Sequence, residues 1–170
     1  LKQYSIYRKL FDSKAGAEVI AQLIDRRANV SSDTLKGQID YSLAVNAYMK
    51  RDAKNANTHL NNAISSYRLV GDSLRLGHSL HLKAMISNNP DSTVILLKEE
   101  QAIAEAIEDK EMMVKAHLGL GNFLSRQGDY DLALEHYFSS LEIMEKLDNK
   151  GPMITINNNI CAIYFFRREF

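Results

Sequence analysis

Apolar and small residues recur along this chain on a helical period. Met113, Ala116, Leu120, Gly121 and Leu124 fall at i, i+3, i+7, i+8 and i+11, which places them on one stripe of an α-helix. Forty residues on, Met153, Ile156, Ile160, Cys161 and Tyr164 take the same positions one for one. Toward the N-terminus, Gly121 corresponds to Ala84 after a step of 37 and Ala84 to Ala44 after a step of 40. Between these helices lie others, striped by Ala56, Leu60, Ala63, Ile64 and Tyr67 or by Ala133, Tyr137, Leu141 and Met144. Repeated helix pairs therefore organise the chain, and small residues recur where paired helices must cross closely.

The pattern predicts nine helices, near 2–11, 13–28, 33–50, 53–69, 73–87, 91–108, 110–126, 130–147 and 152–168. Turn chemistry separates them, with Arg126-Gln127-Gly128-Asp129 inside a pair, and Gly71-Asp72-Ser73 or Asp148-Asn149-Lys150-Gly151-Pro152 between pairs. Asp129 is placed to cap the helix after it, and Pro152 suits a first helical turn because its missing N–H has no partner there. One domain is expected over 1–170, with a partial unit at 1–30, full units at 33–71, 72–109 and 110–149, and a partial unit at 150–170. The unit at 76–108 has the least regular register, because its second helix shows no clean small-residue stripe. Ala133 is expected to face Gly121 and Ala116.

Composition narrows the function classes. The chain has 170 residues, 45% hydrophobic and 25% charged, enough to bury a core. Its 21 basic and 21 acidic residues leave no net charge to draw nucleic acid or an anionic membrane. No apolar run is long enough to span a bilayer, so no membrane contact is expected within the chain. The single Cys161 excludes an internal disulfide and is expected in the core. The cytoplasm is the expected compartment; the alternative is the periplasmic sensor region of a membrane protein, since Leu1 is not an initiator Met and an upstream signal or membrane anchor is left open.

The run Leu120-Gly121-Asn122-Phe123-Leu124-Ser125-Arg126-Gln127-Gly128-Asp129-Tyr130-Asp131-Leu132-Ala133-Leu134-Glu135-His136-Tyr137 resembles a tetratricopeptide repeat in its Leu-Gly pair, Gly-Asp-Tyr turn, small Ala133 and aromatic Tyr137. The unit from Leu43-Ala44 through Ala56, Leu60 and Ala63 resembles it more loosely. His117 and Asn157 stand where the family has a Trp, Cys161 where it has Gly, and Glu145 where it has a helix-ending Pro. The longer repeat, of about forty residues, is similar to those of bacterial regulatory and sensor proteins. The resemblance implies an all-α, right-handed superhelical solenoid of antiparallel helix pairs. It implies a scaffold and no chemistry of its own.

The residues that carry chemistry elsewhere form no set here. His78 and His81 are three apart on a helix, but no Cys or carboxylate stands at a metal-ligand spacing, so no metal or cofactor is expected. His117 and His136 read as packing or rim residues. No serine sits in an elbow turn and no Gly-rich loop could cradle a phosphate. The carboxylate pairs Glu99-Glu100 and Glu142 with Glu145 read as solvated helix faces. Tyr67, Tyr130, Tyr137, Phe138, Met113 and Met144 lie at core spacing. An enzyme is not expected.

In the resembling family the first helices of successive units line a binding groove. Carried over residue by residue, that groove holds Gln38, Tyr41, Val45 and Tyr48, then His78, His81 and Met85. Lys115, Leu118, Asn122 and Arg126 follow, and then Thr155, Asn158 and Ala162. Aromatic residues at one end would accept apolar side chains, while amides and cations at the other would bond a peptide backbone or carboxylate. The family's basic clamp for chaperone tails is not reproduced. The expected function is a non-catalytic sensor or adaptor module that binds a protein or peptide, as part of a longer, bacterial, regulatory protein. Two rivals are an oligomerisation scaffold that forms a homodimer through its C-terminal helix, where Ile160, Tyr164 and Phe165 lack a covering helix, and the regulatory region of a sensor kinase or cyclic-dinucleotide cyclase whose catalytic domain lies outside the chain.

Overall fold

A computed structural model describes residues 14–147 and 151–167 of this chain. Among them are eight α-helices and no strand: α1 Lys14–Asn29, α2 Asp33–Met49, α3 Ala53–Val70, α4 Ser73–Ile86, α5 Pro90–Ala106, α6 Lys110–Gln127, α7 Tyr130–Lys146 and α8 Gly151–Arg167. The all-helical expectation holds, and these eight match predicted segments to within a few residues. The helix expected at 2–11 lies outside the described residues.

Local chemistry sets the helix ends. Ser32, Asp52, Asn89 and Asp109 each accept a backbone N–H three residues on, from Leu35, Asn55, Ser92 and Met112, satisfying donors the first turn leaves unpaired. Pro90 opens α5 directly after its cap. Asp129 stands at the N-cap of α7, but contrary to expectation its side chain makes no capping bond. Gly71 and Gly128 end α3 and α6 in the left-handed conformation, at φ +70° and +88°. After α2 and α5 the same conformation falls to Arg51 and Glu108, at +60° and +55°.

The chain divides into two compact units on either side of the Asp72–Ser73 bond. In the first, α2 and α3 form an antiparallel hairpin around Ile39, Leu43, Ala44, Ala56, Leu60, Ala63 and Tyr67, all buried, and α1 packs on α2. Gly37 makes room for Tyr67: a Cβ there would come within 2.7 Å of the ring.

The second unit runs α4 to α8, each helix packed on the next. Helix α6 also touches α4 and α8, so the first helices of successive pairs are neighbours. Val114, Ala133, Leu134, Tyr137, Met144, Ile156, Ile160 and Ile163 form its main core cluster. Gly121 faces the Tyr137 ring, 2.6 Å from where its Cβ would be. Cys161 is exposed, correcting its expected core place, and Tyr164 also faces solvent. Among the described residues, helix α8 packs chiefly on α7 and less on α6, and its buried stripe is Ile156, Ile160 and Ile163. Phe138 is 49% exposed and is no core residue either.

Candidate functional site

Most of the expected groove residues lie on α4, α6 and α8 of the second unit. On α6, Lys115, Leu118, Asn122 and Arg126 follow one another at i, i+3, i+7 and i+11, and none of the four is buried. His78 and His81 on α4 are half-buried and Met85 is exposed; on α8, Thr155, Asn158 and Ala162 are all exposed. Because α6 touches both neighbours, these residues belong to helices that lie side by side. Gln38, Tyr41, Val45 and Tyr48 are half-exposed on α2, in the first unit.

The α6 stripe has a built polar foundation. Tyr137 Oη donates to Asn122 Oδ1 at 2.8 Å, and Asn159 Nδ2 donates to the same oxygen at 2.9 Å. One carbonyl oxygen thus ties α6, α7 and α8 together. With that oxygen occupied, Asn122 still has the two N–H donors of its amide. Asn159, next to the expected Asn158, supplies the bond to α6.

The α4 end rests on a buried carboxylate. Glu100 on α5 is wholly buried, so its reading as part of a solvated face is corrected: it sits in the buried stripe of α5, between Leu97 and Ala104. His81 Nδ1 lies 2.8 Å from Glu100 Oε2, while Glu100 Oε1 is buried without a hydrogen-bond partner. Burial pushes the Glu100 carboxyl above its ordinary range, against the opposing pull of His81 and Lys115. Burial, with Lys115 adding to it, holds the His78 imidazole below its usual range.

A second imidazole site escaped the sequence reading. His117 Nδ1 and His136 Nδ1 approach to 2.9 Å across α6 and α7, so one ring donates to the other. Burial lowers both below the ordinary histidine range. In the first unit, Asp40 and His59 hold the corresponding positions, 77 residues earlier, with Asp40 Oδ1 3.2 Å from His59 Nδ1. The repeat period was the signal that could have paired these residues. Among the described residues, no three His, Cys, Asp or Glu side chains gather as a metal ion requires. No described helix is long and apolar enough to cross a membrane.

No protein-family model matches the chain, and no curated protein matches it in sequence.

Proposed function

We propose that this chain is a tetratricopeptide-like scaffold, a right-handed superhelical solenoid of helix pairs that holds a peptide or protein and performs no chemistry itself. In this reading it is the sensor or adaptor module of a longer regulatory protein. The observation that supports it best is the neighbouring of α4, α6 and α8, whose accessible side chains offer Asn122 amide donors above an oxygen locked by Tyr137 and Asn159. An amide fixed in this way bonds a ligand backbone without first losing rotamer freedom.

The test is selection of peptides from a random phage-displayed library, followed by amide chemical-shift mapping with a selected peptide. Shifts should gather on α4, α6 and α8. Shifts confined to α5 and α7, or no selectable peptide, would remove the reading.

Self-association through α8 is a second reading, favoured by Ile154, Phe165 and Phe166, each more than 60% exposed on one helix. Sedimentation velocity distinguishes the two. A dimer lost on Phe166→Glu would favour the second.

A further inference from the structure

The chain as a whole is neutral, but the charges of its second unit are sorted by helix. Helices α4, α6 and α8 carry six Lys or Arg against one Glu, a formal +5. Helices α5 and α7 carry two Lys against eight Asp or Glu, a formal −6. The first unit shows no such sorting: α2 carries −1 and α3 carries +2.

The basic helices are the ones that carry the accessible stripe. Lys115 and Arg126 stand on it, exposed, and neither forms an ion pair among the described residues. Arg167 and Lys146, by contrast, are taken up by Asp131 and Glu142. Two carboxylates of this unit are turned to other tasks. Glu100 is buried behind His81 and Asp109 is engaged in capping α6, while Glu111, exposed in the first turn of α6 and four residues before Lys115, is the one acid on these three helices.

We infer that the α4–α6–α8 face recognises an acidic peptide, one whose Asp and Glu side chains meet Lys115 and Arg126 while its backbone meets Asn122. The inference rests on the peptide-binding reading above and adds the partner's chemistry. Sorting eleven net charges onto opposite helix sets inside a neutral chain creates a directed field without giving the protein a net charge. Such a field steers encounter and rejects like-charged partners more than it adds affinity. A second copy also offers an acidic face, through α5 and α7. That contact would be heterologous and would propagate, so it would show as assembly that grows with concentration.

The experiment uses the whole chain and random dodecapeptides displayed on phage, with the selected sequences resynthesised for titration. Selected peptides should be enriched in Asp and Glu and should bind less tightly as salt rises. Lys115→Glu with Arg126→Glu should weaken them about tenfold or more, and Lys115→Gln with Arg126→Gln by less. Glu135→Lys with Glu145→Lys on α7 should stay within about twofold. The Gln pair guards against misfolding of the Glu pair. Selected peptides that are neutral or basic, or acidic peptides indifferent to both pairs, overturn the acidic partner but leave the binding face standing. Salt-sensitive self-assembly with no peptide selected overturns both.

Discussion

Among the described residues each unit buries one carboxylate completely, and the two are treated differently. Asp40 in the first unit is 0% exposed and has a partner on each oxygen: Arg27 Nε at 2.8 Å on Oδ2 and His59 Nδ1 at 3.2 Å on Oδ1. Glu100 in the second is equally buried but has His81 on one oxygen and nothing on the other. A buried carboxylate with both oxygens bonded holds structure together; one left half-bonded costs desolvation that its single partner does not return. Asp40 ties α1 to α2 and α3. Glu100 fills a position that Ala63 and Ser140 hold in the neighbouring pairs, where a small residue suffices.

The sharpest test compares these two groups. Asp40→Ala should cost about 3 kcal/mol, discounted from the usual range for a broken buried pair because Arg27 and His59 keep access to water. Glu100→Met should cost nothing or stabilise, since an apolar side chain of similar length removes the orphaned oxygen. Urea denaturation followed by amide exchange in each unit measures both. Equal losses would show that His81 alone satisfies Glu100.

Packing should behave alike in the two units, which bounds the comparison. Gly37 and Gly121 both give space to a tyrosine ring, and Ala63 and Ala133 are both fully buried. Ala133→Leu should cost about 2 kcal/mol by overpacking, whereas Glu135→Leu, at an exposed site on the same helix, should change stability by a few tenths. Thermal melts that coincide for these two variants would refute the facing of α7.

How much of this was legible beforehand follows from the same residues. The helices and the Tyr137 and Tyr67 cores were readable, because buried apolar stripes at helical period are a property of sequence alone. Cys161 was misplaced because the stripe shared with 113–124 assumes equal packing on both sides, whereas among the described residues α8 packs chiefly on α7 and less on α6. Glu100 was misread because a charged pair such as Glu99-Glu100 ordinarily faces water; only the fold shows that α5 turns one of them inward. The expected groove residues on α4, α6 and α8 come from the repeat alone. Their foundation, Asn159 through Asn122 to Tyr137, depends on side-chain directions that spacing does not give.

Acid should separate the units next. His117 and His136 are held below the ordinary histidine range, so the unfolded chain binds protons before the folded one does. Their contribution is intact above the unfolded pKa of about 6.5 and is lost as pH falls through the window below it. His78 acts with the same sign. Glu100 acts oppositely, because with a raised pKa the cost of its ionised form is relieved as pH falls through the folded value toward the unfolded one. The replacement of His117 by Phe together with His136 by Leu should therefore flatten the loss of urea midpoint between neutral pH and about pH 5.5, without abolishing it while His78 remains. An unchanged slope would mean the imidazole pair is not the sensitive element.

The smallest expected effect lies at the turns inside the helix pairs. Gly128 and Arg51 occupy corresponding positions, 77 residues apart, and both are left-handed. Glycine adopts that conformation without steric cost, while a side chain with a Cβ is strained there by about 1 kcal/mol or more. Arg51→Gly should thus stabilise the first unit by about 0.5 kcal/mol, the relief being partly offset by the greater freedom glycine gives the unfolded chain. Gly128→Arg should destabilise the second unit by about 1 kcal/mol, and a Cβ there has open space around it, so the loss is conformational and not a clash. Denaturation midpoints of the two variants check both signs. If Arg51→Gly lowers the midpoint instead, the arginine side chain contributes more than its backbone strain costs.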